Sequence, residues 1–595
     1  MRRSEKILKG PDASFNRAVY KSMGFSDGDL RKPIIGIANT WSELVPGSCH
    51  LRELADCVKR GIYAAGGTPV EFGVIGACDG TAQGNEGMRY ILPSRDLIAN
   101  DVEIMVQAHQ LDGVALLGSC DKIVPGLLMA AARLKLPAIL LPGGPMQGGP
   151  IFDGRPSDLT SLSEGCGMVK TGMLTEEELY ELENACGPGC GSCSFYGTAN
   201  TMCCLAECMG MTLPGGALIP AVYAERRRTA FATGEKIVSL VEQGIHAGQI
   251  IHEKSLENAV RFLNATGGST NGILHLLAIA EEAGIDSRVM MEKFKSIGME
   301  TPLIVKVNPA SAYNMEDFYH SGGVPQVMKE LEPLLNLDIM TVTGESLRRN
   351  LEKIKEQKSL SNQGVTDADR ESSGTNQQKF REKNVNRNII KTLEEPFSRF
   401  GGIAVLEGNL APEGCITKPS AIKESMHIFH GTARVFDCEE DAEAAILSGE
   451  IRPGNVVVIR YEGPKGGPGM REMYKAMKYL YGMGLSESTA LITDGRFSGT
   501  NNGCFAGHIS PEAAEGGPIA LVEDGDEITV DIPAGSITLH VGDDELKKRR
   551  QQFIPPKPKY TQGYLGLYSR LASSASRGAV LSLQDKYPEK EKSQS

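Results

Sequence analysis

The sequence predicts an α/β protein of two domains: an N-terminal domain built on a doubly wound, mostly parallel sheet, and a smaller β-rich, barrel-like C-terminal domain. Three observations lead there. In the first third of the chain, short apolar runs alternate with stretches of helical periodicity. A long polar stretch, EQKSLSNQGVTDADRESSGTNQQKFREKNVN, spans Glu356 to Asn386. Beyond it, strand-like runs bounded by turn residues dominate. At 595 residues the chain is too long for a single hydrophobic core, so at least two are expected.

Taken in order, Pro33 to Ala38 is a continuous apolar run and reads as a strand, and Leu51 to Ala65 carries apolar residues at helical spacing and stops at Gly66-Gly67. Pro69 to Ile75 reads as a strand, Ser94 to His109 as a helix, Gly113 to Gly118 as a strand, Gly126 to Leu136 as a helix, and Ala138 to Leu141 as a strand. Strands alternating with helices imply parallel pairing. The stretch 356–386 is nearly free of aliphatic residues, cannot bury a core, and is expected to be an exposed linker. It divides an N-terminal domain, 1–386, from a C-terminal one, 387–595. In the second domain Gly402 to Leu406, Asn455 to Arg460 and Thr489 to Thr493 read as strands, and Glu527 to Val541, with Pro533-Ala534-Gly535 inside, as a hairpin. The tail Lys586 to Ser595 is charged and expected to fray.

Composition narrows the function. The 41% hydrophobic and 23% charged fractions are those of a soluble globular protein. With 74 acidic against 62 basic residues the net charge is −12, and no basic stripe interleaved with aromatics appears, which argues against nucleic acid as a partner. No run reaches the ~18 apolar residues of a membrane span, and the start lacks the apolar core of a secretory signal, so a cytoplasmic protein is expected. Fourteen cysteines are too dilute for a disulfide scaffold and read as metal ligands or buried apolar residues. Cys203, Cys204 and Cys208, at helical spacing among Met202, Leu205 and Met209, are expected in a core.

The sharpest motif is Cys120-Asp121-Lys122, after the apolar run ending at Gly118. A thiolate suits iron or an iron–sulfur cluster and a carboxylate suits Mg²⁺, so one turn is equipped for two unlike metal centres. Cys78-Asp79-Gly80 repeats the pair, and Cys186-Gly-Pro-Gly-Cys190-Gly-Ser-Cys193 adds further thiols. The first two motifs fall beyond strand ends, where ligands bind on such sheets. Cys190-x-x-Cys193 lacks the second pair that a closed zinc site requires. The plain reading of Lys122 is an ion pair with Asp121.

Elsewhere, Gly463-Pro-Lys465-Gly-Gly-Pro-Gly469 reads either as a nest of backbone amides for a substrate carboxylate or as a tight loop. It does not match the phosphate-binding GxxxxGK[ST] pattern. Ser269 or Thr270, in Gly267-Gly268-Ser269-Thr270-Asn271, is a candidate cap for the following apolar helix. Gly495, before Arg496, is expected to permit a backbone turn.

These motifs, together with PSRDLIA at Pro93, GSCDKIVPGLLMA at Gly118, GSCSFYGTANTM at Gly191, LNATGGSTNGILHLLAIA at Leu263, GGIAVLEGNLAPEGC at Gly401, YEGPKGGPGMREM at Tyr461 and LITDGRFSGTNNG at Leu491, closely resemble the dihydroxy-acid dehydratase and sugar-acid or phosphogluconate dehydratase family. The likeness runs from about residue 4 to about residue 570. It implies a hydro-lyase that removes water from 2,3-dihydroxy acids to leave 2-oxo acids, acting as a homodimer or homotetramer on a small molecule. Cys120 and Cys193 match the family's iron–sulfur ligands. Asp79, Asp121, Glu472 and Lys122, the last as its carbamate, match the Mg²⁺ ligands. Ser498 matches the proton acceptor, and His508 and Asp494, near it in the sequence, either tune it or are structural.

One departure affects the cluster. Where many members with a two-iron cluster have Pro-Cys-Asn, this chain has Pro46-Gly47-Ser48. Cys49 and Cys78 are the candidates for the third thiolate; Cys78 is preferred because the phosphogluconate branch shares its Cys-Asp-Gly and Asp79 adjoins it. Both a 2Fe–2S and a 4Fe–4S cluster remain open. The substrate expected is 2,3-dihydroxy-3-methylbutanoate, on the route to valine and isoleucine, with aldonic acids such as gluconate, arabinonate or xylonate as the alternative. A non-catalytic iron–sulfur sensor is the further alternative, which the magnesium set and Ser498 speak against.

Overall fold

The apolar runs of the first third become four parallel strands: β1 (Ile34–Asn39), β2 (Thr68–Gly73), β3 (Gly113–Gly118) and β4 (Ala138–Pro142), in the order β2-β1-β3-β4. The computed structural model describes residues 2–170, 172–354, 385–497 and 503–583. All but the last two residues of the expected linker 356–386, the tail Lys586–Ser595, and Ser498 lie outside the described residues. The chain falls into two compact units, Met1–Ala77 with Ile98–Thr266 and Pro302–Arg399, and Cys78–Leu97 with Gly267–Thr301 and Phe400–Ser595. Two segments that precede the polar stretch therefore group with the C-terminal part of the chain.

The first unit holds the helices α1 (Leu51–Ala64), α2 (Met88–Ala108, of which Ile98 onward belongs here), α3 (Ile123–Leu134), α4 (Thr198–Cys208) and α5 (Ala224–Gln243), of which α1, α3 and α5 pack against the parallel sheet and cover both its faces. The pleat shows which helix lies where. A Cβ at Gly113 would point at Val241 and Ile237 of α5, whereas one at Gly118, an odd number of residues on, would point at Ile123 and Leu127 of α3. With both faces covered, β1 and β3 are buried at every position, as a parallel sheet requires. This is the doubly wound arrangement expected. Helix α4 is buried at every position, and Cys203, Cys204 and Cys208 lie in its core as expected.

The second unit contains α6 (Asn271–Ala283), α7 (Glu439–Leu447) and α8 (Lys475–Gly482). Its strands are β5 (Ala404–Leu406), β6 (Cys415–Thr417), β7 (Ile428–Phe436), β8 (Asn455–Ile459), β9 (Glu472–Met473), β10 (Ala490–Thr493), β11 (Arg496–Phe497), β12 (Cys504–Gly507), β13 (Glu527–Asp531) and β14 (Ser536–Leu539). Eight of them form one sheet in the order β14-β13-β7-β8-β10-β12-β6-β5, parallel in the middle and antiparallel at both ends. A bridge between Glu407 and Ser536 brings the two edges together, so the sheet nearly closes into a barrel. Gly408 makes that closure possible, because a Cβ there would stand 1.9 Å from the Ile537 carbonyl oxygen. Alternation along β8 divides the core: Val456 and Val458 join the cluster with Ile528, Ile537 and Leu539, while Val457 and Ile459 pack with α7 and α8. The expected hairpin is present as β13 and β14, and β9 pairs with β11 as a separate two-strand ladder.

Candidate metal centre

In the first unit, the loops after β1, β3 and β4 meet at the carboxyl ends of the strands. Gly47 marks the meeting point: a Cβ there would lie 3.3 Å from the Ser119 side chain and 3.5 Å from the Ser192 backbone nitrogen. The residues that follow Ser119 and Ser192 are Cys120 and Cys193, so the turn bearing one thiol and the loop bearing the other are packed against the same glycine. Gly191 N donates to Pro46 O at 2.9 Å, and Asn200 Nδ2 donates to Cys193 O at 2.6 Å, which fixes the second loop to the first and to α4.

Cys120 has a φ of 90°, in the left-handed region that a residue with a Cβ avoids. Such a conformation costs of order 1–3 kcal/mol and persists where the surroundings over-determine it, characteristically at functional sites. The start of α3 supplies the constraint, with Val124 N donating to Cys120 O at 3.4 Å and Gly126 N to Lys122 O at 3.2 Å. Lys122 is the N-cap residue of α3 and is fully buried, and its Nζ pairs with the Asp121 carboxylate. Lys122 thus lies against Asp121 in a position where lysine is seldom found. Cys49 is exposed and directs its Sγ to Pro46 O at 3.3 Å.

In the second unit, Cys78 and Asp79 begin the one-turn helix Asp79–Ala82. The Cys78 Sγ and an Asp79 carboxylate oxygen lie within 4.8 Å, as do carboxylate oxygens of Asp79 and Glu472. Two carboxylates at that separation repel unless a cation lies between or beside them. Oxygen-only donors of this kind suit a hard divalent cation, and the adjacent thiol suits iron, so the donor chemistry fits the expected groups.

Glu472 is placed by β9, whose Glu472 is the register partner of Arg496 on β11. Its Oε2 accepts hydrogen bonds from Asn271 Nδ2 at 3.0 Å and from Arg496 Nη1 at 2.9 Å. Arg496 also donates to Asn271 Oδ1 at 3.1 Å and to Met470 O at 2.6 Å. Burial drives its guanidinium below the ordinary arginine range, and the charges of Glu472 and Asp79 oppose that shift. Glu472 also forms part of the wall of a cleft of about 330 Å³ that includes Gln83, Asn85, Glu440 and Lys475.

Three readings are refined. The amides of the Gly463–Gly469 loop do form a nest, but its occupant is internal: Lys465 N and Gly466 N donate to the Glu512 carboxylate at 2.9 and 2.8 Å. Burial and the neighbouring Asp494 push that carboxyl up to about 8. Gly495 is required by close approach and has no left-handed φ, since a Cβ would lie 3.0 Å from the Glu462 Cβ and backbone oxygen. Thr270, the residue before α6, makes no side-chain capping bond, but the Ser269 hydroxyl accepts from Asn271 N at 3.3 Å as the cap, and Asn271, the first helical residue, reaches Glu472.

Asp494 accepts from Tyr461 N, Glu462 N and Ala513 N, and burial raises its carboxyl to about 6. His508 is pushed down to about 3 by burial and then by the positive charge of Arg496, so it is neutral near pH 7. Asn271 and Arg496 are the residues that sequence reasoning did not pick out. No spacing rule links positions so far apart in the chain; the one available signal was an amide side chain opening an otherwise apolar helix.

Thiols beside carboxylates at strand ends, carried with a clamped glutamate in a barrel unit, are the equipment of a metal-dependent enzyme. The chain matches the family models for the N-terminal domain of dihydroxy-acid/6-phosphogluconate dehydratases over residues 32–350 and for the C-terminal domain over residues 388–579. It is 48% identical to a dihydroxy-acid dehydratase of Ruminiclostridium cellulolyticum over 97% of this chain and 100% of the relative. Identity is 49% with one of Caldanaerobacter subterraneus subsp. tengcongensis, over 97% of this chain and 99% of the relative. It is 47% with one of Methanosarcina barkeri, over 97% and 100% respectively. The chain belongs to the dihydroxy-acid/6-phosphogluconate dehydratase family and is a hydro-lyase. No described helix is long and apolar enough to cross a membrane.

Proposed function

We propose that the protein dehydrates 2,3-dihydroxy-3-methylbutanoate to 3-methyl-2-oxobutanoate, a step towards valine and isoleucine. The observation that carries this reading is the near-full-length likeness to relatives named for that class of acid, joined to the strained Cys120 turn and the Asp79/Glu472 pair. Cys120, Cys193 and Cys78 would hold an iron–sulfur cluster, 2Fe–2S or 4Fe–4S, and Asp79, Asp121, Glu472 and the carbamate of Lys122 would hold Mg²⁺. When bound, these groups supply Lewis acidity for the carboxylate, the carbon-2 hydroxyl and the departing carbon-3 hydroxyl.

The residues of the chain do the rest. Asn271 and Arg496 keep one Glu472 oxygen engaged and so fix the direction of the carboxylate. Lys122 and Asp121 stand against each other at the head of α3, where the lysine, once carbamylated, offers oxygens in place of an ammonium. Ser498, two residues after Arg496 in the chain, would take the carbon-2 proton, for which a serine hydroxyl must act as an alkoxide. Loss of the carbon-3 hydroxyl leaves an enol, which tautomerises to the 2-oxo acid. A cytoplasmic homodimer or homotetramer is part of the same proposal.

The test is 2-oxo acid formation by anaerobically purified, cluster-reconstituted protein with Mg²⁺, comparing 2,3-dihydroxy-3-methylbutanoate with gluconate, arabinonate and xylonate. Turnover of the branched acid, abolished by Ser498→Ala, is expected. Turnover of aldonates alone would reassign the substrate to sugar acids.

A further inference from the structure

Arg496 is completely buried, and three of its donor contacts are used up within the second unit: Nε on Met470 O, and Nη1 on both Asn271 Oδ1 and Glu472 Oε2. Its remaining nitrogen, Nη2, is buried and has no hydrogen-bond acceptor among the described residues. A guanidinium nitrogen carries two donor hydrogens, and a buried charged donor left unanswered is costly enough that native proteins rarely keep one without a purpose. The anchors on Nε and Nη1 also remove the freedom of the side chain to turn elsewhere. Arg496 is thus a rigid, dry, cationic donor beside two carboxylates assigned to a cation, and a cation shared by those carboxylates would bring an anionic substrate to the same place.

We propose that Arg496 Nη2 donates to the carboxylate of the bound substrate, making Arg496 a substrate-binding residue as well as a support for Glu472. The assignment deepens the dehydratase reading and rests on it for the identity of the acid. Chemically, one guanidinium serves both partners: Nη1 holds the protein's carboxylate and Nη2 the ligand's, a division that the planar fork of arginine permits and a lysine ammonium does not reproduce. It also gives the second unit its own means of recognising an acid, separate from the metals. The competing explanation is that Arg496 only balances the charge of Asp79 and Glu472.

Calorimetric titration of 3-methyl-2-oxobutanoate and of its carboxamide into cluster-loaded protein at saturating Mg²⁺ separates the two. In the wild type the acid should bind at least tenfold more tightly than the amide. Arg496→Met should remove most of that difference and Arg496→Lys should restore part of it, while Asn271→Ala, which loosens Glu472 but keeps Nη2, should preserve the acid-over-amide preference. Equal effects of Arg496→Met and Asn271→Ala on acid and amide alike would overturn the proposal in favour of charge balance. If the arginine variants do not fold, a structure of the wild type with 3-methyl-2-oxobutanoate decides: Nη2 within hydrogen-bond distance of a carboxylate oxygen supports the assignment, and an acceptor from the protein or solvent there defeats it. A wild type that binds the acid through Arg496 yet dehydrates no dihydroxy acid would sink the substrate reading and leave this inference standing.

Discussion

Arg496 Nη1 lies 2.9 Å from Glu472 Oε2, and the two residues face each other as register partners in a two-strand ladder. The backbone pairing and the side-chain ion pair are thus one device: the β9–β11 ladder sets the distance at which the arginine can hold the glutamate. Asn271, at the first position of α6, closes the triangle with a bond to each.

Asn271→Ala should leave the fold intact and weaken divalent-cation binding by about 10–100-fold, the usual loss when a residue that orients a ligating side chain is removed. Mn²⁺ titration followed by electron paramagnetic resonance on cluster-loaded protein measures this directly. An unchanged Mn²⁺ affinity would show that Glu472 needs no orientation from Asn271.

Gly408→Ala should destabilise the barrel unit by about 1–3 kcal/mol, because its Cβ would overlap the Ile537 carbonyl, a backbone atom that no side-chain rotation can move. Urea denaturation followed by circular dichroism gives the number. A loss below ~1 kcal/mol would mean that the Glu407–Ser536 closure is easily opened.

How much of this was legible in advance differs between fold and site. β3 was readable to the residue, Gly113–Gly118, because a strand buried on both faces leaves an uninterrupted apolar run between glycines. The hairpin of β13 and β14 was equally plain from Pro533-Ala534-Gly535. By contrast β7, the strand that joins the antiparallel edge to the parallel centre, alternates buried and exposed residues over Ile428–Gly431 amid histidines and glycine, and went unread. At the site, Cys120 and Lys122 announced themselves by residue type. Arg496 and Asn271 did not, because their meaning lies in a contact across 225 positions of sequence.

Carbamylation of Lys122 predicts a carbon signal. Protein prepared in ¹³C-bicarbonate should show a carbamate resonance that is absent from Lys122→Arg, and that variant should lose turnover, since a guanidinium cannot offer oxygens to Mg²⁺. Full turnover in Lys122→Arg would return the residue to its ion pair with Asp121.

The acid limb of the stability curve should depend on His508. Its folded-state value of about 3 lies below the ordinary 6.5, so between those limits the unfolded chain binds more protons than the folded one. Stability contributed by the neutral, buried ring is therefore complete above pH ~6.5 and is lost as pH falls towards 3. Asp494 works in the opposite sense: raised from 3.8 to about 6, it makes the folded state the better proton binder in that window, so its burial costs most above pH 6 and nothing below 3.8. The two slopes partly cancel between pH 4 and 6. His508→Asn tolerates the left-handed backbone at this position, where φ is 61°, and removes only the first slope. The unfolding free energy of that variant minus that of the wild type, measured by urea denaturation, should therefore increase as pH falls from 6.5 to 4. Parallel curves for the two proteins would mean that His508 is solvated and titrates normally.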